Sequence, residues 1–510
     1  MNPENKNKRI AKNTLVLYVR MIVVLFLTFY ISRLILHNLG IVDYGIYNVV
    51  FGFVSMFSFF NTSMTACIQR FYNYELGKNG DEGISHVFTT SIIIQLFLAF
   101  IIFILVESLG FYFFDNKLEI PIERMHSAQL IYQSSIAIMV LMIFQVPFQS
   151  LVICYERMNV YALVCIVDVV LKLLVTIVIA YLPGDSLVEY GFLLLLISVI
   201  NLTFYIFYVF NKFKFITLKF KLDKSLLKKM LSFSSWSMFG SFAQICRFQG
   251  LNVLLNMFFG PVVNAAQGLA MQIKGGVTAF ISNITTAAQP QIVQSYAVKD
   301  ENRFRNLLFT ISKICYIMLY MMVLPLILEM DFVLNFWLGE NVPQYTSVFA
   351  RIILFTSLID VFNNPITICI YSTGKIRGYN LLTSLLGILL LPISYFILNF
   401  QYPPESVYYV SLIISIFVEI VSIYFLKIRT SIKISEYLSK VLFPLLIFSV
   451  FSCVIPFFIY YNLNPSAIRF ILTVTIVVVV TIFLGYYFCL NNNERELVKK
   501  MVYKKLKIKK

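Results

Sequence analysis

Three basic residues sit deep in apolar stretches where a positive charge is expensive: Arg20, Arg247 and Lys274. A Lys or Arg near the middle of a membrane costs about 2.5–3.5 kcal/mol even on the lenient insertion scale, so such residues usually face water, a partner or a bound group of opposite charge. Their neighbours are polar at helical spacing. Asn264, Gln267, Lys274, Thr278, Ser282, Thr285 and Gln289 fall within about 80° of one helical wheel. Ser234, Ser237, Ser241, Gln244, Asn252 and Asn256 form a broader stripe with Arg247 at its edge, and Asn48, Ser55, Ser58, Thr62, Thr65 and Gln69 form a third without a basic residue. The simpler reading of Ser and Thr on such stripes is helix packing, because small polar side chains let helices approach and hydrogen-bond. That reading leaves the cations unexplained. Together they predict a cationic, water-filled cavity between two lobes, with Arg20, Gln244, Arg247, Gln267, Lys274 and Thr278 as its binding residues.

The remaining buried charges suggest other work. Asp168 and Lys172 are four apart on one helix and can pair with each other; with Asp360 they are also the candidates for ion coupling. Arg33 and Lys313, near span ends, are expected to snorkel. Arg351, Asp360 and Glu419 are expected to pair between neighbouring spans, although Arg351 and Asp360 lie on opposite faces of one helix. No phosphate-binding Gly-rich loop, HExxH or GxSxG occurs, so the chain reads as a non-enzyme with no catalytic residues. Work must then come from an ion gradient, the membrane potential or the gradient of the transported molecule. Three isolated histidines and eight scattered cysteines without a CxxC pair predict no metal, no disulfide and no cofactor.

The elements that position these residues are membrane helices. The chain has 510 residues, 59% of them hydrophobic, and its mean hydropathy is +0.82. The apolar runs are long and continuous, which favours spanning helices over a barrel. About 14 transmembrane helices are expected, an all-α integral membrane fold. Of 41 Lys and Arg residues, only Lys117, Arg124 and Arg469 fall on one side of the membrane; most of the rest fall on the other. This is the positive-inside pattern and puts both termini in the cytoplasm. The net charge of +16 then reports loops facing anionic lipid rather than nucleic acid. The first apolar run, preceded by Lys6, Lys8, Arg9 and Lys12, is too long for a signal peptide and reads as an uncleaved first helix.

An internal repeat organises the spans. A shift of 220 lays Gly40 on Gly260, and Ser58, Thr62, Thr65 and Gln69 on Thr278, Ser282, Thr285 and Gln289; a shift of 218 lays Pro147 on Pro365. Six spans per copy make the repeat parallel. The expected organisation is an N-lobe of helices 1–6 (1–210), a cytoplasmic linker (211–230), a C-lobe of helices 7–12 (231–426), helices 13–14 (427–490) and a basic cytoplasmic tail (491–510). Pro147 and Pro365 should kink the fourth and tenth spans, and Gly275-Gly276 should weaken the eighth.

Two six-helix lobes with two trailing helices resemble the polysaccharide-export branch of the multidrug/oligosaccharidyl-lipid/polysaccharide exporter superfamily. The residues carrying the resemblance are Lys12-Asn13-Thr14, Leu39-Gly40 with Asp43-Tyr44-Gly45-Ile46-Tyr47-Asn48, Tyr155-Glu156-Arg157 and Ser372-Thr373-Gly374-Lys375. The resemblance implies a flippase in the bacterial inner membrane that moves undecaprenyl-pyrophosphate-linked oligosaccharide for O-antigen or capsule by rocking of two lobes. It also implies neighbouring glycosyltransferases and a polysaccharide polymerase as partners. In the related lipid II flippase, basic residues on the first and eighth helices line the cavity, the helices that carry Arg20 and Lys274 here. The trailing helices would hold the lipid tail. The alternatives are a cation-coupled multidrug exporter of the same fold, which would favour acids in its cavity, and a membrane glycan polymerase or glycosyltransferase, which would need larger outer loops.

Overall fold

A computed structural model describes residues 3–489 and 495, apart from 79, 117–119, 156, 217–223, 298, 374 and 431. The side chains of residues 3–19 and of several helical residues, among them Ser237, Ser241, Gln244 and Gln289, lie outside the described residues, as do Glu156, Gly374 and the tail beyond 495. The described chain is helical, with no strand. It divides into two compact units, Met1–Gly268 and Leu269–Lys510. The division falls inside a helix.

The first unit holds α1 (Pro3–Ser55), α2 (Ser58–Lys78), α3 (Gly80–Asn116), α4 (Met125–Cys154), α5 (Met158–Val178), α6 (Ser186–Lys212), α7 (Lys224–Phe259) and the start of α8 (Pro261–Ala297). Here α4 packs on α6 and α1 on α5, while α7 packs on α1 and α2. α1 carries the first expected span and the beginning of the second. It turns at Gly40 (φ 78, ψ 172), a conformation that a Cβ disfavours. Gly260, the expected counterpart 220 residues on, has φ 74. The second expected span is not continuous: it breaks at Met56–Phe57, between α1 and α2.

In the second unit, α9 (Glu301–Leu328), α10 (Met330–Leu338), α11 (Thr346–Asp360), α12 (Asn363–Ser372), α13 (Arg377–Asn399) and α14 (Ser406–Arg429) follow the rest of α8. α15 (Ile434–Tyr437), α16 (Phe443–Asn462) and α17 (Ala467–Leu484) complete it. α14 packs on α11, α12 and α13, and the trailing pair α16 and α17 packs on α9. Side-chain caps start several helices: Asp185 accepts from the Leu187 N–H, Asp300 from that of Arg303 and Ser466 from that of Arg469.

The two matched prolines act differently. α4 runs through Pro147, whereas the tenth expected span breaks at Val361–Phe362, ahead of Pro365. α8 continues unbroken through Gly275-Gly276.

Among the described residues, eleven helices are long and apolar enough to cross a membrane. The first runs over Arg20–Ser55 and merges two expected spans, and α7 and α8 are absent from the eleven. Large apolar side chains cover the outward faces of the others, including Phe100, Phe207, Phe396, Phe451 and Phe483, as lipid contact requires.

Candidate functional site

Two clusters of charge lie among the membrane helices, one in each unit. In the first, Arg20 comes from α1, and Tyr161, Cys165, Asp168 and Lys172 come from one face of α5 at spacings of three and four. The Arg20 guanidinium lies 5.1 Å from the centroid of the Tyr161 ring and donates from Nη1 to Cys165 Sγ at 3.7 Å. Its Nε is buried with no hydrogen-bond partner. Among the described residues no carboxylate lies within ion-pair distance of Arg20. One helical turn on, Lys172 Nζ contacts Asp168 Oδ2 at 2.8 Å, and Asn201 Nδ2 of α6 donates to Asp168 Oδ1 at 2.7 Å. The pairing expected between Asp168 and Lys172 is thus present. Tyr161, Cys165 and Asn201 were not singled out from sequence; the signal was the shared face with Asp168 and a lone amide in the apolar α6.

In the second unit Lys274 of α8 has a counter-charge. Its Nζ lies 3.5 Å from Asp360 Oδ2, at the end of α11. Lys274 was expected as a cation free for an anion and Asp360 as a separate coupling residue, but the structure brings them together. They lie 86 positions apart, beyond any helical periodicity. Glu419 of α14 is 7% exposed, its Oε1 is buried without a hydrogen-bond partner, and it interacts electrostatically with Asp360. The expected Arg351–Asp360–Glu419 pairing does not form. Arg351 instead bonds Asp331 at 2.7 Å and the Ile327 carbonyl at 3.1 Å. Lys313 does not snorkel: it is fully buried and donates to the Cys489 carbonyl at 2.9 Å. Arg33 is exposed, as a snorkelling residue would be.

The polar stripes resolve mostly into packing. Asn264 Nδ2 donates to Asn252 Oδ1 at 2.6 Å and Asn256 Nδ2 to Asn264 Oδ1 at 2.9 Å, while Asn252 Nδ2 reaches the Asn48 carbonyl at 2.8 Å. These amides join α7 to α1 and to the start of α8. An added Cβ on Gly45 would collide with the Pro261 carbonyl, so this helix contact needs glycine. Thr278 turns its hydroxyl to the Lys274 carbonyl at 2.9 Å. Gln267 is 4% exposed and its Oε1 has no partner. Arg247 is half-buried on α7, and the side chain of Gln244 lies outside the described residues.

Two arginines expected on the outer side are structural clamps. Arg124, after the loop from α3, binds both Asp43 of α1 and Asp185 at the start of α6, the latter at 2.9 Å, and Ser127 donates to Asp185 at 2.6 Å. Burial pushes the Asp185 carboxyl up, but the Ser127 hydroxyl, the Arg124 guanidinium and the Leu187 N–H outweigh it and hold the group below the usual carboxylate range. Arg469 of α17 pairs with Glu329 at 2.7 Å, and both are almost fully buried.

Comparison with known proteins places this geometry in a family and a fold. A family model described as "Polysaccharide biosynthesis protein" matches residues 10–297, more than half of the chain. No curated protein matches the sequence. Among solved structures, the lipid II flippase MurJ in an inward closed conformation aligns at a TM-score of 0.69 with 13% identity, covering 94% of this chain and 98% of that one. An inward-facing multidrug resistance MATE family transporter of the MOP superfamily aligns at 0.63 with 16% identity, covering 79% and 94%. A MOP superfamily transporter from Pyrococcus furiosus, reported with a binding pocket of reverse polarity, aligns at 0.52 with 14% identity, covering 83% and 96%. These likenesses establish the MATE/MurJ-like helical fold.

Proposed function

The chain belongs to the polysaccharide biosynthesis protein family, and on that premise we propose that it is a flippase for undecaprenyl-pyrophosphate-linked oligosaccharide. It carries the repeat unit of a surface polysaccharide, O-antigen or capsule, across the bacterial inner membrane by alternating access of its two six-helix repeats, with both termini cytoplasmic. Glycosyltransferases supply the substrate on one side and a polymerase consumes it on the other. The observation that carries this reading is Arg20, a half-buried guanidinium inside a membrane helix, held by an aromatic face and a thiol instead of a carboxylate. A group so placed keeps its charge available for an anion, and the fork geometry of guanidinium suits a pyrophosphate. Arg247 and Gln267 are the further candidates in the first unit. Lys274 would join them when Asp360 releases it.

The experiment is complementation. In a host deleted for the transporter, Arg20→Ala, Arg247→Ala and Lys274→Ala are expressed at equal levels and surface polysaccharide is followed. Loss of glycan with Arg20→Ala supports the reading; normal glycan from all three variants removes the site assignment.

A second reading, a cation-coupled exporter of small molecules, is favoured by one observation, the buried Glu419 beside Asp360. Drug resistance conferred on a pump-deleted host, lost with Glu419→Gln, would support it over the flippase.

A further inference from the structure

One groove of the first unit shares no residue with the Arg20 cluster. It lies between α2 and α4 and has a volume of about 390 Å³, at the lower end of ligand pockets, roughly 300–1,000 Å³. α2 contributes Asn61, Thr62, Thr65 and Gln69, which recur on one helical face. α4 contributes Gln145 and Gln149, one turn apart, with Met142 and Val146 beside them. Among the described residues, the groove thus contains four carboxamides, two hydroxyls and no ionisable group.

The state of the amides is the informative part. Among the described residues, the side-chain amides of Asn61, Gln69, Gln145 and Gln149 make no hydrogen bond, and Asn61 Oδ1 is buried. Thr62 and Thr65 donate back to the Ser58 and Asn61 carbonyls at 3.2 and 2.7 Å, which leaves their oxygens able to accept. Asn61 Oδ1 is the buried member and the other three amides are half-buried, so unused donors and acceptors converge on one groove where a polar ligand could satisfy them. Pro147 lies within this stretch of α4 and has no N–H for the Ile143 carbonyl, which loosens the helix at the groove. Beyond it, Tyr72 ties α2 to α4 by donating to the Pro147 carbonyl at 3.3 Å.

The wall chemistry selects the ligand class. A phosphate or pyrophosphate would need cations. A drug-like molecule would need mainly apolar and aromatic walls. A carboxamide offers two donors and an acceptor with two lone pairs, which match neighbouring hydroxyls that each give and take a hydrogen bond. We propose that the groove between α2 and α4 is a glycan subsite that binds neutral sugar hydroxyls of the transported oligosaccharide, separately from the Arg20 cluster. The proposal rests on the flippase reading and adds where the sugar is held.

The test uses the full chain in lipid nanodiscs and two probes: lipid-linked oligosaccharide extracted from a producing strain that lacks this chain, and undecaprenyl pyrophosphate without sugar. Two double variants are compared with the parent, Gln145→Leu/Gln149→Leu on one wall and Asn61→Ala/Gln69→Ala on the other. Each is expected to weaken binding of the glycosylated lipid by about tenfold or more, the effect of losing two neutral hydrogen bonds. Binding of the bare lipid should stay within about twofold, which also shows that the variants fold. Equal loss of both probes, or no loss of either, overturns the subsite. A parent that binds both lipids equally well overturns the subsite and leaves the flippase reading intact. A parent that binds neither overturns the flippase reading and the subsite with it.

Discussion

The two units differ in how one basic residue among the membrane helices is held. In the second unit the basic residues among the membrane helices meet a defined acceptor: Lys274 has Asp360, Arg351 has Asp331, Arg469 has Glu329 and Lys313 has the Cys489 carbonyl. In the first unit Lys172 has Asp168, but among the described residues Arg20 has the Tyr161 ring and the Cys165 thiol and no carboxylate. A carboxylate partner neutralises a cation and competes with any anionic ligand; an aromatic face and a thiol leave the charge in place. The proposed headgroup site therefore centres on the first unit, whereas Lys274 is paired with Asp360.

The contrast can be broken most sharply at its structural extreme. Arg469→Ala leaves Glu329 as a buried carboxylate without its cation, and breaking such a pair costs about 3–5 kcal/mol. Thermal unfolding in detergent should show a large fall in Tm, and Arg469→Leu/Glu329→Leu should recover much of it. If Arg469→Ala melts like the parent, the pair is not structural. Arg20→Ala should do the reverse. Its melting point should stay close to the parent's, because no buried counter-charge is stranded, while surface glycan is lost; a fall in Tm as deep as that of Arg469→Ala would place Arg20 among the packing residues.

A smaller effect probes the Lys274–Asp360 pair. Asp360→Asn removes the carboxylate paired with Lys274, and under the proposal binding of undecaprenyl pyrophosphate should tighten severalfold, by roughly 1 kcal/mol for a partly exposed pair. Equilibrium binding in nanodiscs measures this, and unchanged or weaker binding would make Lys274–Asp360 a purely structural pair. The smallest effect concerns the Arg124 clamp of the first unit. The folded state holds the Asp185 carboxyl below its ordinary value. Its contribution is therefore present above the unfolded value of about 3.9 and disappears as pH falls through the lower folded value. Melting curves should show the gap between the parent and Arg124→Gln narrowing below about pH 4; a gap that widens on acidification would contradict the clamp.

Much of the fold was legible because a membrane imposes simple rules. Continuous apolar runs became helices, and the repeat that matched Gly40 with Gly260 met two glycines of positive φ. The apolar pattern did not mark the break of the second span at Met56–Phe57. Partner choice was legible only within one helix. Asp168 and Lys172, four apart, announce their pairing. Lys274 with Asp360, Arg351 with Asp331 and Arg469 with Glu329 are joined by tertiary packing that no periodicity encodes. The amides of α4 are not legible in sequence, because two Gln residues in an apolar helix look like packing without the unused amides of α2 across the groove. Their one sequence mark is the i,i+4 spacing around Pro147.

The most direct measurement is the affinity of the nanodisc-embedded chain for undecaprenyl pyrophosphate with and without Arg20. Arg20→Ala should bind at least about tenfold more weakly, as loss of charge-assisted hydrogen bonds to a phosphate requires, with Arg20→Lys between it and the parent. Equal affinity of Arg20→Ala and the parent would contradict the assignment of the headgroup to the first unit.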